Sequence, residues 1–197
     1  MEVQNLSQHN ALRTDNLLDE LKTDTKRRGA LANADIIIVS IGHNDTAWGR
    51  NDDPCDGLSG DNIEWSKFNQ TCAAAAEIFR PMFESVFAQI VALRAGKPTI
   101  FLTTNTCNDW IGLPGGVFSA EDIEATREVL DAWNAMICKA AQANGFTCGD
   151  IYHAFNGPDG LTPAPDFIAD DTIHPSDKGN EVIAGVLTDL GYAPLVP

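Results

Sequence analysis

The chain has 197 residues, 44% hydrophobic and 21% charged, proportions that suit a single globular domain over 1–197 with a sizeable core. Thirteen basic against 28 acidic side chains leave a net charge of −15, which repels phosphate backbones and anionic lipid, so no nucleic-acid partner is expected. No apolar run reaches the ~18–20 residues of a membrane span, and Met1 leads directly into polar residues rather than a secretory signal.

In chain order, Val3 to Leu6 reads as the end of a strand. Leu17, Leu18 and Leu21 mark one face of a helix from about Asp15 to Arg28. Asp35 to Ser40 holds a continuous Ile-Ile-Ile-Val run, as in a strand covered on both faces. Residues 46–63 are polar, Gly-rich and read as loop. From about Trp65 to Ala95, Ile78, Phe79, Met82, Phe83, Val86, Phe87, Ile90 and Val91 recur at helical spacing and are read as core. Pro81 is expected to start, kink or divide that helix, because it lacks an N–H. Thr99 to Thr104 is a second buried strand, followed by a loop from Asn105 to Phe118. Ser119 is placed to cap a helix from about Ala120 to Asn144, with Glu121 and Asp122 in its first turn. A short strand is expected near Cys148 to Tyr152, and Ser176 is placed to cap a last helix ending near Leu190. Short apolar runs alternating with periodic segments predict an α/β domain with a parallel sheet.

Five cysteines are many for a cytosolic chain of this size. Cys55 with Cys72, and Cys138 with Cys148, would each close a short loop worth about 2–4 kcal/mol if oxidised, leaving Cys107 over. Two disulfides and an oxidising, extracellular compartment are favoured over five buried thiols. Secretion without a visible signal in turn implies that the front of the chain is missing. No spacing matches a zinc knuckle, and neither a metal nor another cofactor is expected.

Two short motifs carry chemistry. In Asp171-Thr172-Ile173-His174-Pro175 a carboxylate stands three residues ahead of an imidazole, a spacing that can hold one ring nitrogen protonated and leave the other as a base. Alone, it is also an ordinary loop pair. Gly42-His43-Asn44-Asp45 follows the Ile-rich strand at the edge where α/β sheets keep their sites. Gly42 lets the backbone turn there, and the Asn44 amide can donate to an oxyanion. Alone, it is equally a turn.

Together, a buried strand ending in G-x-N-D and a distal D-x-x-H-P before the last helix resemble the SGNH (GDSL) hydrolase family. The resemblance covers nearly the whole chain. It implies a three-layer α/β/α sandwich with a mainly parallel sheet. It also implies a carboxylic ester hydrolase, of esterase or lipase type, that acts on a small-molecule ester by acyl transfer through a Ser-His-Asp triad. In that frame His174 is the base, Asp171 its orienting acid and Asn44 the oxyanion donor. Asn5-Leu6-Ser7-Gln8-His9-Asn10-Ala11 fits the family's second block, with Asn10 in place of a glycine whose backbone N–H serves the oxyanion hole. The family's Gly-Asp-Ser block does not occur among the 197 residues and is expected upstream of Asn5, so the first strand and the nucleophile are expected to be missing. Ser7 is the candidate substitute nucleophile, and His43, Trp48 and Trp110 are candidate pocket walls. His9 and His153 are read as structural or solvent-exposed. The competing reading is a catalytically inactive pseudoenzyme of the same fold that binds a carbohydrate or lipid. A sheet lacking its first strand is also expected to self-associate through the edge left open.

Overall fold

Three parallel strands organise the protein. The computed structural model describes residues 2–8, 12–45, 69–112 and 119–191, so Asn10, Trp48 and Cys55 lie outside the described residues. Strands β1 (Ile36–Val39), β2 (Ile100–Thr104) and β3 (Thr147–Gly149) pair in the order β1-β2-β3. Ile36 stands opposite Ile100, and Leu102 opposite Thr147. The helices in chain order are α1 (Thr14–Thr23), α2 (Thr25–Asn33), α3 (Asn69–Leu93), α4 (Ala120–Gln142), α5 (Ile151–Asn156) and α6 (Asp177–Asp189).

Strand alternation divides the apolar residues between two faces. Ile37 and Val39 join Leu17 and Leu21 of α1, Phe83, Val86, Phe87 and Ile90 of α3, and Val129, Trp133 and Ile137 of α4 in the main core. On the opposite face, Ile151 and Phe155 of α5 pack with Val182, Ile183 and Val186 of α6 around Cys107. Gly149 permits that approach, because a Cβ there would lie 3.1 Å from Val186. Helices thus cover both faces of a parallel sheet. Coverage is uneven at β1, where Ile38 is 54% exposed. The β-branched run identified the strand correctly and overstated how completely it is covered.

Local chemistry explains the other departures. Residues 2–8 form no strand: Val3 is 78% exposed, and the Asn5 side chain accepts the Ser7 N–H at 2.9 Å, curling the chain. The helix expected through Arg28 breaks at Asp24, whose carboxylate accepts the N–H groups of Lys26 and Arg27 and so caps α2. Conversely, α3 continues through Pro81, which neither starts nor divides it. Pro81 is exposed, whereas Cys72, Ala75 and Ala76 before it and Phe83, Val86 and Phe87 after it are all buried in one core. Packing of both halves offsets the lost backbone bond. The strand expected to reach Tyr152 stops at Gly149, because the Asp150 side chain accepts the His153 N–H and starts α5.

Ser119 forms a capping box with Asp122 at the start of α4, and Ser176 caps α6 through the Gly179 N–H. Cys138 and Cys148 are joined in a disulfide that ties the end of α4 to β3. Cys72 is also disulfide-bonded, and Cys107 is free and buried.

Candidate active site

All three strands deliver polar residues beyond their C-terminal ends, where open α/β sheets bind ligands. After β1, the chain turns at Gly42 with φ 121°, and the Asp45 N–H returns to the Gly42 carbonyl at 3.0 Å. Side chain and conformation are both constrained there: a Cβ on Gly42 would lie 2.7 Å from Ile137 Cδ1 and 3.3 Å from Phe83 Cε1. Asp45 is fully buried and accepts the Thr14 N–H at 2.9 Å and the Thr14 hydroxyl at 2.8 Å, anchoring the turn to the start of α1. Asn44 spends one amide N–H on the Leu12 carbonyl at 3.2 Å, which fixes the plane of the amide and leaves a second N–H for a ligand. Leu12, Ser40, Ile41, Gly42, His43, Asn44 and Thr106 line a small pocket here.

The Asp171–His174 pair closes into the geometry its spacing predicts. Asp171 Oδ2 meets His174 Nδ1 at 2.7 Å, while Asp171 Oδ1 accepts the N–H groups of His174 at 2.9 Å and Ile173 at 3.0 Å. Those bonds, the His174 N–H first, then Ile173 and then the ring, hold the Asp171 carboxyl down at about 2. Asp171 therefore stays ionised wherever an imidazole base can work, and Nδ1 carries the proton that leaves Nε2 free. The His174 side chain is 75% exposed, open to an incoming partner.

This pair is built on a strained residue. Thr172 has φ 66°, an uncommon conformation for a β-branched side chain, and it is what folds the Ile173 and His174 N–H groups back onto Asp171. Asparagine tolerates that conformation. Thr172→Asn should raise stability by about 0.5–1 kcal/mol in urea unfolding while leaving the Asp171–His174 contact intact. A loss of stability on that substitution would show that Thr172 is not strained.

The remaining candidates sit as follows. The Ser7 hydroxyl donates to Asn5 Oδ1 at 2.6 Å, and no contact among the described residues joins it to His174. Trp110 packs against the main core. Burial, reinforced by Asp109, pushes the Cys107 thiol up to about 12, so it is held as the poorly nucleophilic thiol. His153 belongs to a second D-x-x-H pair, with Nδ1 2.6 Å from Asp150 Oδ2. The same spacing in the sequence identifies it. Asp150 is also the cap of α5 and accepts the Asn105 amide at 2.8 Å, which gives that pair a structural role.

One residue that motif reading passed over faces the G-x-N-D turn. Asp109 is 6% exposed, and its Oδ2 stands 3.6 Å from His43 Nε2. Burial pushes its carboxyl up, while the charges of His43 and then His174 act against that shift. Asp109 thus stands against the G-x-N-D turn through His43. Its signal in the sequence is a repeat: Asn108-Asp109 follows β2 much as Asn44-Asp45 follows β1. Among the described residues no group of three His, Cys, Asp or Glu side chains could hold a metal ion, and no helix is long and apolar enough to cross a membrane.

The parallel sheet thus carries an amide donor beyond the end of β1, and the chain holds an acid–imidazole pair ahead of its last helix. Residues 2–182 match the GDSL-like lipase/acylhydrolase family, and the chain belongs to it. Two solved structures share the fold. An extracellular lipase from Streptomyces rimosus superposes with a TM-score of 0.54 at 17% identity, covering 92% of this chain and 77% of its own. LAE5, an alpha/beta hydrolase enzyme from the metagenome of Lake Arreo, Spain, gives a TM-score of 0.53 at 16% identity, covering 91% and 67%. Comparison with curated proteins finds no match.

Proposed function

We propose that this chain provides the base and oxyanion site of a secreted carboxylic ester hydrolase that works by acyl transfer. The observation that carries the reading is the Asp171–His174 contact at 2.7 Å beside an open imidazole, in a chain of the acylhydrolase family. In the proposed cycle a serine hydroxyl attacks the ester carbonyl and passes its proton to His174 Nε2. Asp171 supports the resulting imidazolium, and the spare Asn44 N–H receives the oxyanion. His174 then returns the proton to the departing alcohol, and water repeats the sequence on the acyl-enzyme. The Cys138–Cys148 disulfide and the extracellular lipase of like fold support secretion.

The attacking serine does not come from a Gly-Asp-Ser within these 197 residues. Residues 1–197 alone are therefore expected to hydrolyse short-chain p-nitrophenyl esters at close to the buffer rate. Lacking a triad member costs roughly 10⁴-fold or more. Supplying a Gly-Asp-Ser strand upstream should restore turnover, and His174→Ala should remove it again. Ordinary esterase turnover from residues 1–197 alone would overturn the assignment of the nucleophile, and fluorophosphonate labelling with peptide mapping would then test Ser7. No turnover after restoration would favour the pseudoenzyme, whose ligand affinity should survive His174→Ala.

A further inference from the structure

The segment after β2 is fixed in a way that ordinary loops are not. Asn134 of α4 brackets one peptide of it: Oδ1 accepts the Thr106 N–H at 2.9 Å, and Nδ2 donates to the Thr106 carbonyl at 2.9 Å. Asn156 of α5 brackets another, accepting the Asn108 N–H at 2.7 Å and donating to the Asn108 carbonyl at 3.0 Å. Asn105 adds a third anchor through Asp150 and the Tyr152 N–H. Residues 105–109 are all buried. This strap ends at Asp109, whose Oδ2 faces the His43 ring at 3.6 Å and whose buried Oδ1 has no hydrogen-bond partner among the described residues.

A buried carboxylate with one orphaned oxygen is an expensive way to fill space. Burial raises the Asp109 carboxyl from its ordinary 3.8, so the protonated form suits the fold better than the anion. Whatever stability protonation adds is complete below 3.8 and is lost as pH rises through the raised value. The contact of Asp109 is with a histidine inside the G-x-N-D turn, one residue from the Asn44 amide and lining the same pocket. The two groups form an ion pair when His43 is protonated.

We propose that Asp109 is a positioning residue for the oxyanion site: from the clamped 105–109 strap it holds the His43 ring and, through it, the Gly42–Asn44 turn that aims the Asn44 amide. The purpose assigned to the turn rests on the ester-hydrolase reading. The restraint itself does not, and it can be read without turnover.

The test is amide hydrogen exchange on the whole chain near neutral pH, with Asp109→Asn as the isosteric variant. The reporter is the Asp45 N–H, bonded across the turn to Gly42; the controls are the Thr106 and Asn108 N–H groups in the clamps. Exchange at Asp45 should quicken about tenfold, with the controls unchanged and the melting temperature level or higher. His43→Gln should reproduce the local effect, and the double variant should add nothing to either single one. Unchanged exchange at Asp45 in Asp109→Asn overturns the proposal. A lower melting temperature with faster exchange in turn and clamps alike makes Asp109 merely structural and also overturns it. So does loosening by Asp109→Asn that His43→Gln does not share. Absence of esterase activity even after a Gly-Asp-Ser strand is supplied would sink the proposed function and leave these outcomes readable.

Discussion

Gly42→Ala should cost roughly 2–5 kcal/mol of stability and misplace the Asn44 amide, because two separate penalties meet at one atom. The first is conformational: φ 121° lies where L side chains rarely go. The second is spatial: the added methyl would lie 2.7 Å from Ile137 Cδ1 and 3.3 Å from Phe83, both fully buried. Neither neighbour can retreat without disturbing the α3–α4 packing. Gly96 offers the matching control. It also has positive φ, at 77°, but nothing lies within 4 Å of its notional Cβ. Gly96→Ala should therefore show the backbone share alone, about 1–2 kcal/mol. Urea unfolding of both variants makes the comparison. If Gly42→Ala cost no more than Gly96→Ala, the tight packing under the turn would not be real.

Trp133→Ala is expected to cost about 3–5 kcal/mol from the cavity it opens. Trp133 is fully buried in α4, packs 5.3 Å from the Phe79 ring, and donates its indole N–H to the Cys72 carbonyl at 3.0 Å. It thus joins α3 to α4 through both shape and a hydrogen bond. Trp133→Phe separates the two contributions: most of the packing stays, and loss of the indole bond to the Cys72 carbonyl should account for about 0.5–1.5 kcal/mol. The loss in Trp133→Ala is a large part of the ~5–15 kcal/mol available to a domain. Denaturation midpoints for the two variants would measure this directly. Equal losses would mean that the ring itself contributes little.

How far the sequence revealed this protein depended on how local each signal was. The Ile-Ile-Ile-Val run, the Ser119 cap and the Asp171–His174 spacing are each decided within a few residues, and each took the expected form. Where competing local interactions existed, periodicity misled. Asp24 and Asp150 cap helices within segments whose apolar pattern favoured a continuous helix or strand. Pro81 neither starts nor divides α3, because residues buried on both sides of it hold the helix together. Coverage of Ile38 depends on neighbouring elements, which its own residues cannot encode. The same limit applies to the site. Asn44 and His174 belong to motifs, whereas Asp109 matters only because β1 and β2 are adjacent and bring residues 43 and 109 together.

The asparagine clamps give the 105–109 strap an unusual evolutionary constraint. A surface loop generally accepts an insertion, because its ends stay put while its middle bulges into solvent. Here the peptides of Thr106 and Asn108 are matched, two residues apart, to amides on helices that cover opposite faces of the sheet. One extra residue between them would put either clamp out of step with the other, leaving buried N–H and carbonyl groups without partners. The strap should tolerate exchanges of side chain at its unclamped positions and resist any change of length.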